Sequence, residues 1–262
     1  MGIKIYQIDT FTNEVFSGNP AAVCPLSNWL NDATLQKIAM ENNISTAFYI
    51  KNDDHYQIRW FTPTVEATLC GHATFAAAYV LFNFENHKEE NILFSSPRSG
   101  VLTASKSQNL VSLNFQSDIL NEVELTEMFI KCFNIKPKSV FKGKRDYLFL
   151  FNSAQDILSI KPEIQTISTL EGRGIIVTSK AKAKEIDFVS RYFPAKLNEL
   201  EDPVCASAHT SLIPFWAKKL GKTDLSTIQL SERKGYLKCK YLNDRVEIGG
   251  EGRLYMMGKI DI

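Results

Sequence analysis

The chain opens on Ile3-Lys4-Ile5-Tyr6-Gln7-Ile8-Asp9, an apolar–polar pattern that predicts a strand over residues 3–9. Gly18-Asn19-Pro20 is a turn signal leading into a short apolar run over residues 21–23. Asn31-Asp32 caps a predicted helix through about Met40, with Leu35, Ile38 and Ala39 on its apolar face. Strands are predicted over residues 46–51 and 56–61, the second ended by Pro63. Residues 74–84, rich in Ala, Leu and aromatics, read as a buried helix. A meander follows over residues 92–96, 100–106 and 109–115. The second half repeats this order with strands at 147–151, 174–178 and 186–193, helical stretches at 163–170 and 209–220, and a final meander.

The repetition extends to residue identity. Residues 70–115 align without a gap on 205–250, at an offset of 135. Cys70-Gly71-His72-Ala73 falls on Cys205-Ala206-Ser207-Ala208, and Ser96, Arg98 and Gly100 fall on Ser231, Arg233 and Gly235. Val111 and Leu113 recur as Val246 and Ile248. Arg59-Trp60-Phe61-Thr62-Pro63 is echoed by Arg191-Tyr192-Phe193-Pro194 at an offset of 132. Solenoid units run to about 50 residues or fewer, so this period means a duplicated domain. The expected division is a first lobe over residues 1–117 and a second over 118–250. The last strand, near residues 251–262, has no counterpart and is expected to complete the first lobe. One Cys turn and one helix per half suggest a site built between the halves.

Composition narrows the function classes. The 262 residues are 44% hydrophobic and 23% charged, ordinary values for a globular protein. A net charge of +1 gives no electrostatic reason to expect nucleic acid or a membrane surface. No apolar run approaches the roughly 20 residues that span a bilayer. The start of the chain reads as a strand rather than a signal peptide, and Tyr6 occupies the place where a myristoylation signal wants Ser or Thr. Five cysteines without C-x-x-C spacing argue for a reducing cytoplasm and against a disulfide framework or a zinc site. Neither G-x-G-x-x-G nor a P-loop occurs, so no nucleotide cofactor is expected.

The two Cys turns are the candidate chemistry. Backbone amides at a helix N-terminus are unpaired and carry partial positive charge, which suits a carboxylate. The same dipoles would lower a thiol pKa and make Cys70 and Cys205 proton carriers; the competing reading is that both are small buried residues closing tight turns. His72 follows Gly71 at the helix mouth, where glycine permits close backbone approach. Asp202-Pro203 forces an extended turn before Cys205, with Glu201 alongside. Ser207 reads locally as an N-cap.

Taken together, Asp9-Thr10-Phe11 with the segment 16–23, Phe61-Thr62-Pro63 with 69–74, 201–209 with Pro214-Phe215-Trp216, and Gly249-Gly250 resemble the phenazine-biosynthesis PhzF-like family. The resemblance covers essentially the whole chain. It implies a diaminopimelate epimerase-like α+β fold: two pseudo-symmetric lobes, each a curled mixed sheet around a central helix, with the site in the inter-lobe cleft. It also implies an isomerase that moves a proton on a small carboxylate-bearing metabolite without a cofactor. His72, Asp202 and Ser207 match three members of the family's catalytic set, and Asn19, Gly71, Ala73 and Ala208 match substrate-binding positions. The fourth member, a glutamate in Ser-Glu-Thr-Ala-Phe, is missing: the chain reads Ile44-Ser45-Thr46-Ala47-Phe48, a one-residue deletion between Ser45 and Thr46. Ser45 or Thr46 is left to fill its place, and Glu41 lies four residues upstream of Ser45. Cys70-Gly71-His72 and Cys205-Ala206-Ser207 are also similar to the paired thiols of proline racemases and diaminopimelate epimerases. Three functions therefore remain open: an isomerase, a two-cysteine racemase, and a non-catalytic homologue that binds a small anion or a partner protein. A homodimer is compatible with edge strands on two curled sheets.

Overall fold

The computed structural model describes residues 2–195 and 200–262. In chain order the elements begin with β1 (Gly2–Thr10), β2 (Asn19–Leu26), α1 (Asp32–Asn42), β3 (Thr46–Lys51), β4 (Tyr56–Phe61) and β5 (Glu66–Ala67). Next come α2 (Gly71–Asn83), β6 (Asn91–Ser96), β7 (Gly100–Ser107), β8 (Leu110–Gln116), β9 (Asn121–Val123), α3 (Glu127–Ile130) and β10 (Ser139–Lys142). The chain continues through β11 (Asp146–Leu150), α4 (Ala154–Ser159), α5 (Ile164–Ser168), β12 (Gly174–Lys180) and β13 (Phe188–Pro194). A 3-10 turn at Ala206–Ala208 then feeds α6 (His209–Leu220), followed by β14 (Asp224–Gln229), β15 (Gly235–Leu242), β16 (Arg245–Gly250) and β17 (Gly252–Asp261). The described residues form two compact units, one of Met1–Asn114 with Gly249–Ile262 and one of Phe115–Ile248.

In the first unit β2 pairs antiparallel with β1 and parallel with β3, and β3 pairs antiparallel with β4. β17 runs antiparallel along the whole of β1, from Gly2 opposite Asp261 to Thr10 opposite Gly252, with one irregularity between Gln7 and Ile8. β6 pairs parallel with β4 and opens the β6–β7–β8 meander. α2 packs against β1, β2, β3 and β7. Gly71, Ala73, Thr74, Phe75, Ala76, Ala77, Ala78, Val80 and Leu81 are all buried, so the helix is apolar on nearly every side. A helix of that kind belongs inside a sheet, not on its surface. It starts three residues before the predicted Thr74, because Cys70 is extended and its carbonyl takes both the N–H and the Oγ1 of Thr74, at 2.9 and 2.7 Å. α1 lies outside, where Leu35, Ile38 and Ala39 pack with Phe48 and Phe61.

The second unit reuses the pairing scheme: β11 is parallel to β12, and β12 antiparallel to β13. Its core joins Phe133, Phe149, Ile157, Ile175, Val177 and Phe193. The connection between β11 and β12 holds α4 as well as α5; the sequence pattern predicted a single helical stretch there. Ser153 and Asp156 form a reciprocal capping box that starts α4. Pro214 lies within α6 and has no N–H for the carbonyl of Thr210, which accepts the Asp118 N–H at 3.0 Å instead. Trp216 stacks on Phe188 with rings 6° from parallel and donates to Thr178 Oγ1 at 3.0 Å.

Candidate active site

The turn in front of each buried helix is held by the same device. In the first unit Arg59 on β4 lies 5.1 Å from the Phe61 ring and donates through Nε to Glu66 at 2.8 Å. In the second, Arg191 on β13 lies 5.0 Å from the Phe193 ring and grips both oxygens of Glu201 at 2.8 and 2.7 Å. Glu66 and Glu201 each stand four residues before a cysteine, so the repeat reaches back further than Cys70 and Cys205. A second brace comes from the Ser-x-Arg-x-Gly turns. Arg98 pairs with Glu66 at 2.9 Å and Ser99 donates to the Thr68 carbonyl, while Ser231 donates to the Pro203 carbonyl at 2.7 Å. Gly235 is required for packing, since a Cβ there would sit 2.3 Å from Val204 Cγ2.

These braces fix two turns, one in each unit. In the first, Cys70 is buried and its Sγ lies 3.7 Å from His72 Nδ1 and 3.8 Å from Nε2, with the imidazole partly exposed. The N–H groups of Gly71 and Ala73 precede the first intrahelical bond of a 13-residue helix, and its dipole favours an anion in front of them. The side chain of Ala73 is fully buried, so only its backbone is available to a ligand. Asn19 is buried at the start of β2, its carbonyl accepting the Thr10 hydroxyl at 2.8 Å. Ser45 is half-buried just ahead of β3, with its carbonyl bound to the Ala22 N–H at 2.9 Å. Glu41 is exposed on the last turn of α1, and Asn43, in the left-handed conformation, then ends that helix.

In the second, Asp202 accepts the Val204 N–H at 3.2 Å, and its own N–H donates to the Tyr192 carbonyl at 3.1 Å. Gln229 bridges the turn, taking the Cys205 N–H at 2.9 Å and donating to the Asp202 carbonyl at 2.6 Å. Ser207 is not an N-cap. Cys205 occupies that position with no side-chain cap, and the Ser207 hydroxyl turns toward Cys205 Sγ at 3.4 Å. Ala206 adopts an ordinary negative φ, so its Cβ excludes nothing the turn needs. Ala208 is buried like Ala73.

Electrostatics separate the two readings of Cys205. Burial pushes its thiol well above the ordinary cysteine value, and Asp202 adds to the rise, outweighing the Arg173 guanidinium that pulls it down. A depressed thiol, expected from a helix N-terminus, is therefore not what this turn makes. Three groups beside it form a cluster that the sequence repeat does not signal, although Tyr192 itself lies within the echoed Arg-x-Phe segment. Asp146, 4% exposed, takes Arg173 Nε at 3.2 Å, Arg173 Nη2 at 2.7 Å and the Tyr192 hydroxyl at 2.8 Å. Among the described residues no group of three or more His, Cys, Asp or Glu side chains is placed to hold a metal ion. A cavity of about 1000 Å³ does occur in the first unit, lined by Tyr49, Tyr56, Glu85 and His87. It sits at the opposite end of α2 from Cys70, about 20 Å along the helix, and belongs to neither turn.

A mixed-sheet α+β unit wound around an apolar helix that begins at a cysteine turn defines the diaminopimelate epimerase-like class of fold. A predicted epimerase from Pseudomonas aeruginosa shares it at 16% identity and a TM-score of 0.75, covering 99% of each chain. The chain belongs to the phenazine biosynthesis-like (PhzF) protein family, whose sequence pattern matches residues 8–258. It is 41% identical over the full length of both chains to a protein of Pseudomonas aeruginosa named as an uncharacterized isomerase. A crystal structure of a PhzF-family protein from Enterococcus faecalis matches at 40% identity and a TM-score of 0.96, covering both chains completely. No helix among the described residues is long and apolar enough to cross a membrane.

Proposed function

We propose that this protein is an isomerase that moves a proton on a small carboxylate-bearing metabolite, with His72, Asp202 and Ser207 as its acid/base and hydrogen-bonding groups. The observation that carries the reading is the pair of braced turns, one presenting His72 beside a helix N-terminus and the other presenting Asp202 and Ser207. Imidazole and carboxylate are the side chains suited to general acid/base work near neutral pH. The first-turn amides of α2 would stabilise negative charge that develops as the proton moves. The isomerase name of the full-length relative supports the reaction class. The assembly that fits this reading is a cytoplasmic homodimer acting without nucleic acid or membrane.

Ser45 supports a second reading. A half-buried hydroxyl with no activating base is a poor proton acceptor, so a protein with Ser45 ahead of β3 and Glu41 exposed would bind its carboxylate without turning it over. The raised Cys205 thiol counts against the two-cysteine racemase.

Deuterium wash-in from solvent, followed by proton NMR over a panel of β,γ-unsaturated carboxylates, amino acids and hydroxy acids, tests all three. The isomerase reading expects exchange that His72→Ala and Asp202→Asn each abolish and that Cys70→Ser and Cys205→Ser leave nearly unchanged. Insertion of Glu between Ser45 and Thr46 should raise it. Carboxylate binding with no exchange in any of these proteins would leave the binding homologue standing.

A further inference from the structure

Arg173 precedes β12, and its guanidinium is oriented from one side only. Nε and Nη2 are tied to Asp146, which is 4% exposed and also receives the Tyr192 hydroxyl. The guanidinium carbon lies 5.4 Å from the centre of the Tyr192 ring. Gly174 makes this arrangement possible, since a Cβ there would lie 2.6 Å from the Tyr192 oxygen. Nη1, in contrast, makes no hydrogen bond with any described residue, and the side chain is 36% exposed. An arginine whose only task was to neutralise Asp146 would have no need of an open donor edge.

The open edge belongs to the second turn. Tyr192, whose hydroxyl shares Asp146 with Arg173, holds the N–H of Asp202 on its carbonyl. The guanidinium and the Cys205 thiol act on each other electrostatically, each shifting the other toward its charged form. Strand register gives an independent placement. Thr46 pairs with Phe61 in the first unit and Ile175 with Phe193 in the second, and both phenylalanines close an Arg-x-Phe sequence. Gly174 therefore stands where Ser45 stands, and Arg173 where Ile44 stands. The same strand start presents an apolar residue in one unit and a fixed cation in the other.

We propose that Arg173 is the carboxylate-recognising residue of the second turn, donating from Nη1 to a substrate carboxylate, with Asp146 and Tyr192 as its positioning residues. The proposal deepens the isomerase reading and rests on its substrate class. Arginine suits this role better than lysine, because its planar fork is already aligned by the bidentate bond to Asp146.

The test compares but-3-enoate with its uncharged amide, but-3-enamide, by NMR titration of the native protein. Native protein should bind the acid at least about tenfold more tightly than the amide, the effect of one charge-assisted hydrogen bond. Arg173→Gln should erase that preference, and Arg173→Lys should restore part of it. Because Arg173→Gln alone leaves Asp146 buried and unpaired, the Asp146→Asn/Arg173→Gln double variant provides a neutral, hydrogen-bonded replacement that keeps the fold. A folded double variant that still prefers the acid overturns the proposal, as does a native protein with no preference. Deuterium exchange on the same samples separates the two ideas. Exchange with an unchanged KM in the double variant removes Arg173 alone, whereas acid-selective binding without exchange removes the isomerase and leaves Arg173 in place.

Discussion

Replacing Arg191 by alanine would remove more than a surface ion pair. Its Nε and Nη2 hold Glu201 at 2.8 and 2.7 Å, and its Nη1 donates to the carbonyls of Ile157 and Ile160, each at 3.1 Å. The two side chains are 14% and 19% exposed, so most of the charge is shielded from water. Truncation would leave a largely buried carboxylate unpaired and two carbonyls without their donor. Removing one partner of a buried pair costs about 3–5 kcal/mol; the residual exposure places this one near the lower end, at about 3 kcal/mol. For a chain of this size each kcal/mol moves the Tm by about 2–4 °C, so Arg191→Ala should lower it by about 6–12 °C. Arg59→Ala is the internal control. Arg59 gives Glu66 a single bond and reaches for its second partner to Asp32, whose side chain is 75% exposed, so its loss should cost about half as much. Calorimetry on both variants and on the Arg191→Ala/Glu201→Ala double variant measures this. The double variant should be less destabilised than the two single losses summed, because it leaves no orphaned charge. An Arg191→Ala Tm drop no larger than that of Arg59→Ala would refute the account of the second turn as the more rigidly held.

Three further outcomes follow from the site. Burial holds His209 down to about 4, well below the ordinary histidine value, so the unfolded chain takes up a proton first as pH falls. Stability should therefore drop by roughly 3 kcal/mol between pH 6.5 and 4 on this account, and denaturant titrations should show a shallower decline for His209→Gln. Cys205, buried and with its thiol pushed up, should react with iodoacetamide at pH 7 no faster than Cys239, and mass spectrometry of timed digests reads this directly; rapid labelling of Cys205 would revive the thiolate mechanism. Gly174→Ala should cost about 1–3 kcal/mol through the clash with Tyr192 and the Phe193 carbonyl, whereas Gly100→Ala, at φ +70 in open space, should cost about 1 kcal/mol from backbone strain alone; urea unfolding of the two variants ranks them.

Local pattern carried most of the architecture. The strands at Thr46–Lys51 and Tyr56–Phe61 fall where the sequence places them, because Lys51 and Pro63 bound strongly apolar runs. The gapless repeat located both Cys turns, since the same turn must precede the same buried helix in each unit. What sequence could not supply was the partner of each charged side chain. Arg191 and Glu201 are close in the chain, but Asp146, Arg173 and Tyr192 meet only through the β11–β12–β13 register. Ser207 misled because its N-cap signal is purely local; the chain enters α6 through a 3-10 turn capped two residues earlier, at Cys205. The helix start at Gly71 was hidden for the related reason that Cys70 caps with its carbonyl and not its side chain.

The pairing of β1 with β17 also bears on how the first unit acquires its shape. Gly2 finds its neighbour at Asp261, so every residue between them must leave the ribosome before this ladder can zip. Until then β1 has β2 on one side and an open row of amides and carbonyls on the other, an edge that invites pairing with another chain. Closing a loop of that length carries an entropic cost that slows productive folding more than it weakens the finished protein. Nascent chains should therefore gain protease resistance in the second unit first. The first unit's sheet would remain vulnerable to aggregation during synthesis until its last strand arrives, which makes residues 252–261 a gatekeeper of yield more than of activity.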